Sequence, residues 1–414
     1  MKNKILNFLI YGFGQSINIL GPLLIVPFII AICNEDGLGK VGISFSLSLI
    51  FCCIIDYSST IIGTKNTSIN RDNVEILRNL FCDFFLTKLL ILSILIALLI
   101  FGVYSIPYLQ QEKTLFLLII PLLIAQLFNI NWILQGLEKF KLIAIFNVLS
   151  KGSYILLVFL LINKKQDYIW VNFFLGISNL FFNIIASIYI IKKLNINLKS
   201  FSIQNSIKLL KSDFRICASE FCLAIYQFFP IIIVGYLVGN TGAGIFKIIE
   251  QIISVFRTYI FMFFNFSYPT ICFDLEKDSN KGYKTWLVYH TGNTIIIAFG
   301  CLFIYFIKDY VFDFFRVSNE LLPTLNSLLK IGIFIPIIIS ISQAFRQLLL
   351  GKEIIKPYTM IIYASTIINI VLIYLLTKVF ELKGVLFATI IIEFLVIFSF
   401  AYFIKKNNKY QTVL

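Results

Sequence analysis

Apolar runs long enough to cross a bilayer, about 20 residues each, recur along almost the whole chain. Barrel strands would alternate apolar and polar residues over about 10 positions. These runs are continuous, so helices are the spanning element. Of 414 residues, 59% are hydrophobic and 14% charged, and the mean hydropathy is +0.91, which excludes an ordinary soluble enzyme. The runs predict twelve helices, near 5–32, 41–62, 79–105, 115–135, 141–162, 168–191, 213–238, 244–268, 285–307, 325–349, 357–378 and 384–404. The start, Met1-Lys2-Asn3-Lys4 and a long apolar run, lacks a cleavage pattern and reads as the first retained helix.

Lys and Arg in the connecting segments set the orientation, because cytoplasmic loops hold the excess. One set of loops holds 22 of them, among them Lys65, Arg71, Lys139, Lys192 and Lys356; the other set holds 9. Both termini are therefore expected in the cytoplasm. The same distribution explains most of the net charge of +14 without a nucleic-acid partner. A single histidine, His290, and eight cysteines without C-x-x-C spacing point to no metal site, cofactor or disulfide framework.

A repeat divides the chain. Gly136, Glu138 and Lys141 match Gly351, Glu353 and Lys356 at an offset of 215, and Gly37-Leu38-Gly39 echoes Gly242-Ala243-Gly244. The expected architecture is an all-α membrane protein of two six-helix bundles related by a pseudo-twofold axis along the membrane normal. Its parts are an N-terminal bundle at 1–191, a basic cytoplasmic linker at 192–212 that could lie on anionic lipid, and a C-terminal bundle at 213–414. Parallel repeats of this kind build transporters with a substrate site between the halves.

The stretch Pro121 to Lys141 contains Trp132, Gln135, Gly136, Glu138 and Lys141 in the pattern W-x-x-Q-G-x-E-x-x-K. It resembles the O-antigen flippases, the Wzx-type polysaccharide-unit exporters of the multidrug/oligosaccharidyl-lipid/polysaccharide superfamily. Leu237 to Gln251 is similar to the segment opening helix eight in that family, and Pro269 closes the same helix. The resemblance implies translocation of a lipid-linked oligosaccharide, typically on undecaprenyl pyrophosphate, from the inner to the outer leaflet of the bacterial cytoplasmic membrane. It also implies H⁺ or Na⁺ coupling, with membrane lipids and other polysaccharide-assembly proteins as partners.

Ionisable groups inside helices are costly unless they face a bundle interior or water, so they are the candidate site. Lys151, between Ser150 and Gly152, is read as a phosphate contact or half of an ion pair. Lys247, Glu250, Ser254 and Arg257 share one helix face. Arg257 could grip pyrophosphate through its bidentate fork, with Glu250 holding it or carrying a proton, or the two could simply neutralise one another. Lys88 reads as a ligand or as snorkelling to the interface. Asp56 and Glu220 are candidates for ion coupling, Glu393 needs a partner, and Lys330 sits towards a rim. Gln15, Asn18, Gln126, Asn129, Tyr226 and Gln227 could meet sugar or act as interhelical glue.

Enzymatic alternatives, a membrane glycosyltransferase or polymerase, lack a loop constellation of catalytic groups, since only about 20 residues separate helices six and seven. A cation-drug antiporter would want an acidic cavity, against Lys151 and Arg257. A peptidoglycan-precursor flippase usually has two further helices.

Overall fold

A computed structural model describes the backbone of residues 2–196, 201–352 and 354–411; the side chains of 2–20, 22, 265, 266, 269, 270, 273, 276, 355 and 407–411 lie outside the described set. The protein is an all-α multi-pass membrane protein, and among the described residues ten helical stretches are long and apolar enough to span. A helix satisfies every backbone group within its own segment, which hydrocarbon demands. Large apolar side chains face outward along these stretches; on one helix Phe299, Phe303 and Phe306 are 69%, 61% and 74% exposed. A patch of that kind is a liability in water and is expected against lipid.

Two compact units divide at Phe228/Phe229. Unit 1 contains α1 (Lys2–Asp56), α2 (Thr64–Ile69), α3 (Val74–Ser105), α4 (Pro107–Gln110), α5 (Lys113–Leu117), α6 (Ile120–Leu127), α7 (Asn131–Gly136), α8 (Phe140–Leu161), α9 (Val171–Lys193), α10 (Ile203–Ser212) and most of α11 (Phe214–Val238). Within it α1 packs along α8, α9 packs on α6 and α8, and α10 lies against α3. Unit 2 contains α12 (Asn240–Lys277), α13 (Ser279–Phe306), α14 (Lys308–Phe314), α15 (Leu322–Gly332), α16 (Ile335–Gly351), α17 (Ile355–Phe380) and α18 (Leu382–Gln411). There α12, α13 and α16 pack on one another, and α18 packs on α16 and α17.

The helix edges differ from the sequence reading in instructive places. The first two expected helices are joined in α1 and interrupted at Asn34, whose φ of 59° and ψ of 179° are not helical. The expected fourth helix is broken into α5, α6 and α7, and the expected tenth into α15 and α16, with Pro121 and Pro336 in the first turn of α6 and α16. Proline fits a first turn because its missing N–H would be unpaired there. Both prolines stand at the offset of 215, as do the ends of α7 and α16 at Gly136 and Gly351 and the starts of α8 and α17 at Phe140 and Ile355. At the other offset, of 205, Asn34 corresponds to Gly239, with φ 94° and ψ 173°. The interruptions before the two prolines thus stand in register, whereas the break between α6 and α7 has no counterpart in α16.

Only glycine adopts the Asn34 conformation without strain, which costs a side chain on the order of 1–3 kcal/mol. Asn34→Gly is therefore expected to stabilise the protein by about 1 kcal/mol, and Gly239→Asn to destabilise it similarly. Thermal unfolding in detergent checks both signs; a destabilised Asn34→Gly would contradict the assignment.

Candidate functional site

In unit 1 three elements meet around one carboxylate. Asp56 ends α1, and the chain turns at Tyr57 (φ 53°) into a π-helix over Ser59–Gly63. Oδ1 of Asp56 accepts from Lys88 Nζ on α3 at 2.9 Å, Gln126 Nε2 on α6 at 3.1 Å and Ser59 Oγ at 2.7 Å. Oδ2 accepts from the Thr60 hydroxyl. Lys88 also donates to the Asn129 carbonyl at 3.3 Å, and the Asn129 amide donates to Gln126 Oε1 at 3.2 Å. With Lys88 only 2% exposed and Asp56 17%, this is a nearly closed polar core. In this conformation Lys88 is committed to Asp56 and does not snorkel, while Gln126 and Asn129 act as glue between α1, α3 and α6.

The W-x-x-Q-G-x-E-x-x-K residues lie beside that core. The Trp132 ring is buried against Phe84, and its carbonyl accepts from Thr64 Oγ1 at 3.2 Å. A Cβ on Gly136 would stand 2.5 Å from Thr67 Cβ and 2.8 Å from the Thr64 carbonyl, and one on Gly63 would stand 2.8 Å from Trp132. Glu138 pairs with Arg71 at 3.4 Å, and Lys139 donates to the Tyr189 hydroxyl at 3.2 Å. In the structure Trp132, Gly136 and Glu138 clamp α2 to α7; a role towards sugar does not emerge from their contacts.

Lys151 differs from Lys88. It sits at mid-length of α8 and is half-buried, and among the described residues it makes no hydrogen bond or ion pair. Its neighbour Ser150 donates to Asn179 Oδ1 on α9 at 2.6 Å, which fixes the turn, and a Cβ on Gly152 would meet open space.

In unit 2 the α12 face holds a triad. Lys247 Nζ donates to Glu250 Oε2 at 2.7 Å, and Arg257 Nη1 lies 3.6 Å from Glu250 Oε1. That separation exceeds a hydrogen bond, and Arg257 Nη1 is buried without a hydrogen-bond acceptor. One carboxylate between two cations leaves one positive charge in excess, so the pairing is real but incomplete as neutralisation.

Among the described residues, the remaining candidates lie on α11, α15 and α18. Lys330 is exposed in the last turn of α15. Glu220 and Tyr226 are half-buried on α11 and Glu393 is buried on α18, each engaged within the protein. The side chains of Gln15, Asn18 and Pro269, and the repeat residue Glu353, lie outside the described residues.

Two polar groupings escaped the sequence reading. In unit 2, His290 meets Gln347 at 2.5 Å, Gln347 donates to Ser267 Oγ and to the Phe264 carbonyl at 3.0 Å each, and Trp286 Nε1 donates to the Ala344 carbonyl at 2.8 Å. Trp286, His290 and Asn293, all buried, recur at helical spacing on α13, a signal that was available. In unit 1, Lys40 bridges Asp36 at 3.0 Å and Glu112 at 2.7 Å, and Tyr168 donates to Glu112 at 2.7 Å. Only the Asp36 to Lys40 step is local in sequence.

Comparison with known proteins gives these arrangements a context. The family model described as "Polysaccharide biosynthesis protein" matches residues 5–272, and the model MatE matches residues 216–375. The chain is 22% identical to a "Putative O-antigen transporter" of Escherichia coli (strain K12), covering 95% of each chain. It is also 22% identical to a protein of the same description from Shigella dysenteriae, covering 96% of this chain and 98% of that one. Among solved structures, the inward-facing conformation of a multidrug resistance MATE family transporter of the MOP superfamily has a TM-score of 0.75 at 14% identity, covering 96% of this chain and 99% of that one. A MOP superfamily transporter from Pyrococcus furiosus, described with a binding pocket of reverse polarity, has a TM-score of 0.65 at 14% identity, covering 96% and 94%. These likenesses establish the fold.

Proposed function

From the premise that this chain belongs to the polysaccharide biosynthesis protein family, within the MOP superfamily of membrane transporters, we propose that it is a flippase for a lipid-linked oligosaccharide. It carries a unit of the undecaprenyl-pyrophosphate type from the inner to the outer leaflet of the bacterial cytoplasmic membrane, by alternating access driven by a cation gradient. The family is one of transporters, not enzymes.

The observation that carries this reading is Lys151, a positive group at mid-helix with no partner among the described residues. A pyrophosphate cannot enter hydrocarbon unaided, because even an unpaired neutral polar group costs about 2–7 kcal/mol there and ions cost more. A lysine can hold phosphate as a point charge, and the surplus charge of Lys247, Glu250 and Arg257 has the same sign. The full-length similarity to O-antigen transporters supports the same substrate class. A drug cation would be repelled by both groups.

Twelve crossings fit this function, with α1 (Lys2–Asp56) counted as two about Asn34 and α12 as one more beyond the ten. Both termini then face the cytoplasm, as the loop charges require. Glu250 is the proposed coupling acid, and Glu220 a second candidate. Asp56 is the poorer one, since four donors already occupy its two oxygens.

The deciding experiment is complementation of a strain lacking its O-antigen flippase, joined to translocation in vesicles holding a fluorescent lipid-linked oligosaccharide. Surface polysaccharide is expected to return, and translocation to respond to an imposed pH or Na⁺ step. No complementation together with efflux of cationic dyes would replace the assignment with drug antiport; indifference to both gradients would remove the coupling.

A further inference from the structure

The segment joining the first six expected helices to the rest holds a short helix whose faces are sorted in an unusual way. Helix α10 (Ile203–Ser212) is capped by Ser202, whose side chain accepts from the Asn205 N–H. At ten residues it is below the length at which an isolated helix persists in water, so neighbours hold it. Ser206 is fully buried and donates to the Asp83 carbonyl on α3 at 3.3 Å. Leu209 packs on the apolar cluster of Phe81, Trp132 and Ile190. The Leu210 carbonyl accepts from the Tyr57 hydroxyl at 2.5 Å, and Ser58 donates to Asp213 just beyond the helix at 2.5 Å.

About a quarter turn from that inward face, Ile203 and Ile207 stand 62% and 43% exposed, and Phe214, which opens α11 just beyond the helix, is 64% exposed. Gln204, Lys208 and Lys211 follow about another quarter turn on, all exposed. No acid occurs between Ile203 and Ser212, and the carboxylate of Asp213 is taken by Ser58 and Ser212. One face therefore grips the protein, the next is apolar and bare, and the next is basic. That order matches a helix lying in an interface, with its apolar side in the acyl boundary and lysines reaching phosphate.

We infer that α10 is a docking surface for the anionic lipids of the inner leaflet, fixed to unit 1 through α3 and the end of α1. The choice of occupant follows from charge complementarity: two lysines beside the bare apolar stripe, without an acid on the helix, suit an anionic membrane surface. The inference rests on the cytoplasmic placement of the 192–212 segment within the proposed function, but on nothing about the substrate.

Hydrogen exchange of the full chain in nanodiscs tests it. In phosphatidylcholine containing about one third phosphatidylglycerol, α10 amides are expected to exchange on the order of tenfold more slowly than in phosphatidylcholine alone, with the difference shrinking at high salt. Lys208→Gln with Lys211→Gln is expected to erase the phosphatidylglycerol effect. Ile203→Ser with Ile207→Ser is expected to speed exchange in both lipids. Unchanged exchange in α3 and α9 serves as the control for folding. Equal exchange in the two lipids overturns the inference, as does protection by detergent as strong as by lipid, or protection only when a soluble protein is added. None of these readings depends on translocation, so their failure leaves the flippase assignment standing.

Discussion

Replacing Lys151 by alanine is expected to make the protein more stable and, at the same time, to slow translocation severely. The ammonium has no partner among the described residues, so its partial desolvation is uncompensated, and its removal should return on the order of 1 kcal/mol. If the group meets the phosphate of the substrate, losing a charged hydrogen bond costs about 1.5–3 kcal/mol, or roughly 10- to 100-fold in translocation rate. Lys151→Arg keeps the charge but exchanges a compact ammonium for a planar fork, and is expected to retain part of the rate. Thermal unfolding and vesicle translocation, measured on the same preparations, separate the two effects. A destabilised Lys151→Ala with normal translocation would mean that the lysine is a structural group.

The Asp56–Lys88 pair predicts the opposite pattern. Breaking a buried ion pair by removing one partner costs about 3–5 kcal/mol, mostly for the charge left behind. The two partners are not equivalent. Asp56→Ala strands an ammonium that is 2% exposed and that, among the described residues, keeps the Asn129 carbonyl as its one acceptor. Lys88→Met leaves a carboxylate that is 17% exposed and still receives Gln126, Ser59 and Thr60. Asp56→Ala is therefore expected to be the more damaging change, visible as lost expression or a lower unfolding temperature. The double change Asp56→Asn with Lys88→Met should recover much of the loss, because no lone charge remains. Equal, small effects of the single changes would show that water reaches the pair freely.

These two lysines also mark how far the sequence could be read. That each lies inside an apolar run is a local fact, and the local pattern was enough to select both. What separates them is whether an acid on another helix stands at the same depth and rotation, and Asp56 is 32 positions away from Lys88. No periodicity carries that information. The α12 triad was visible, because Lys247, Glu250 and Arg257 fall on one face of one helix. The His290–Gln347 contact spans 57 positions and was invisible as a pair, although the polar stripe on α13 was not.

The resemblance motif shows the complementary limit. Its order of residues identified the family, yet the contacts of Trp132, Gly136 and Glu138 are those of a clamp between α2 and α7. A pattern can name a fold without naming the groups that touch the cargo. The interruptions before Pro121 and Pro336 were likewise hidden inside runs that read as uninterrupted helices, since hydropathy records depth in the bilayer and not the phase of the backbone.

Those interruptions set a rule of spacing. Pro121 stands as far ahead of Gly136 as Pro336 does ahead of Gly351. Each half of the chain thus carries a proline in the first turn of one helix and a glycine at a helix end, separated by the same number of residues. A residue inserted into α16, which runs unbroken from Pro336 to Gly351, would turn its C-terminal end by about 100°, whereas the same insertion between Pro121 and Gly136 meets the break between α6 and α7 and is expected to be absorbed there.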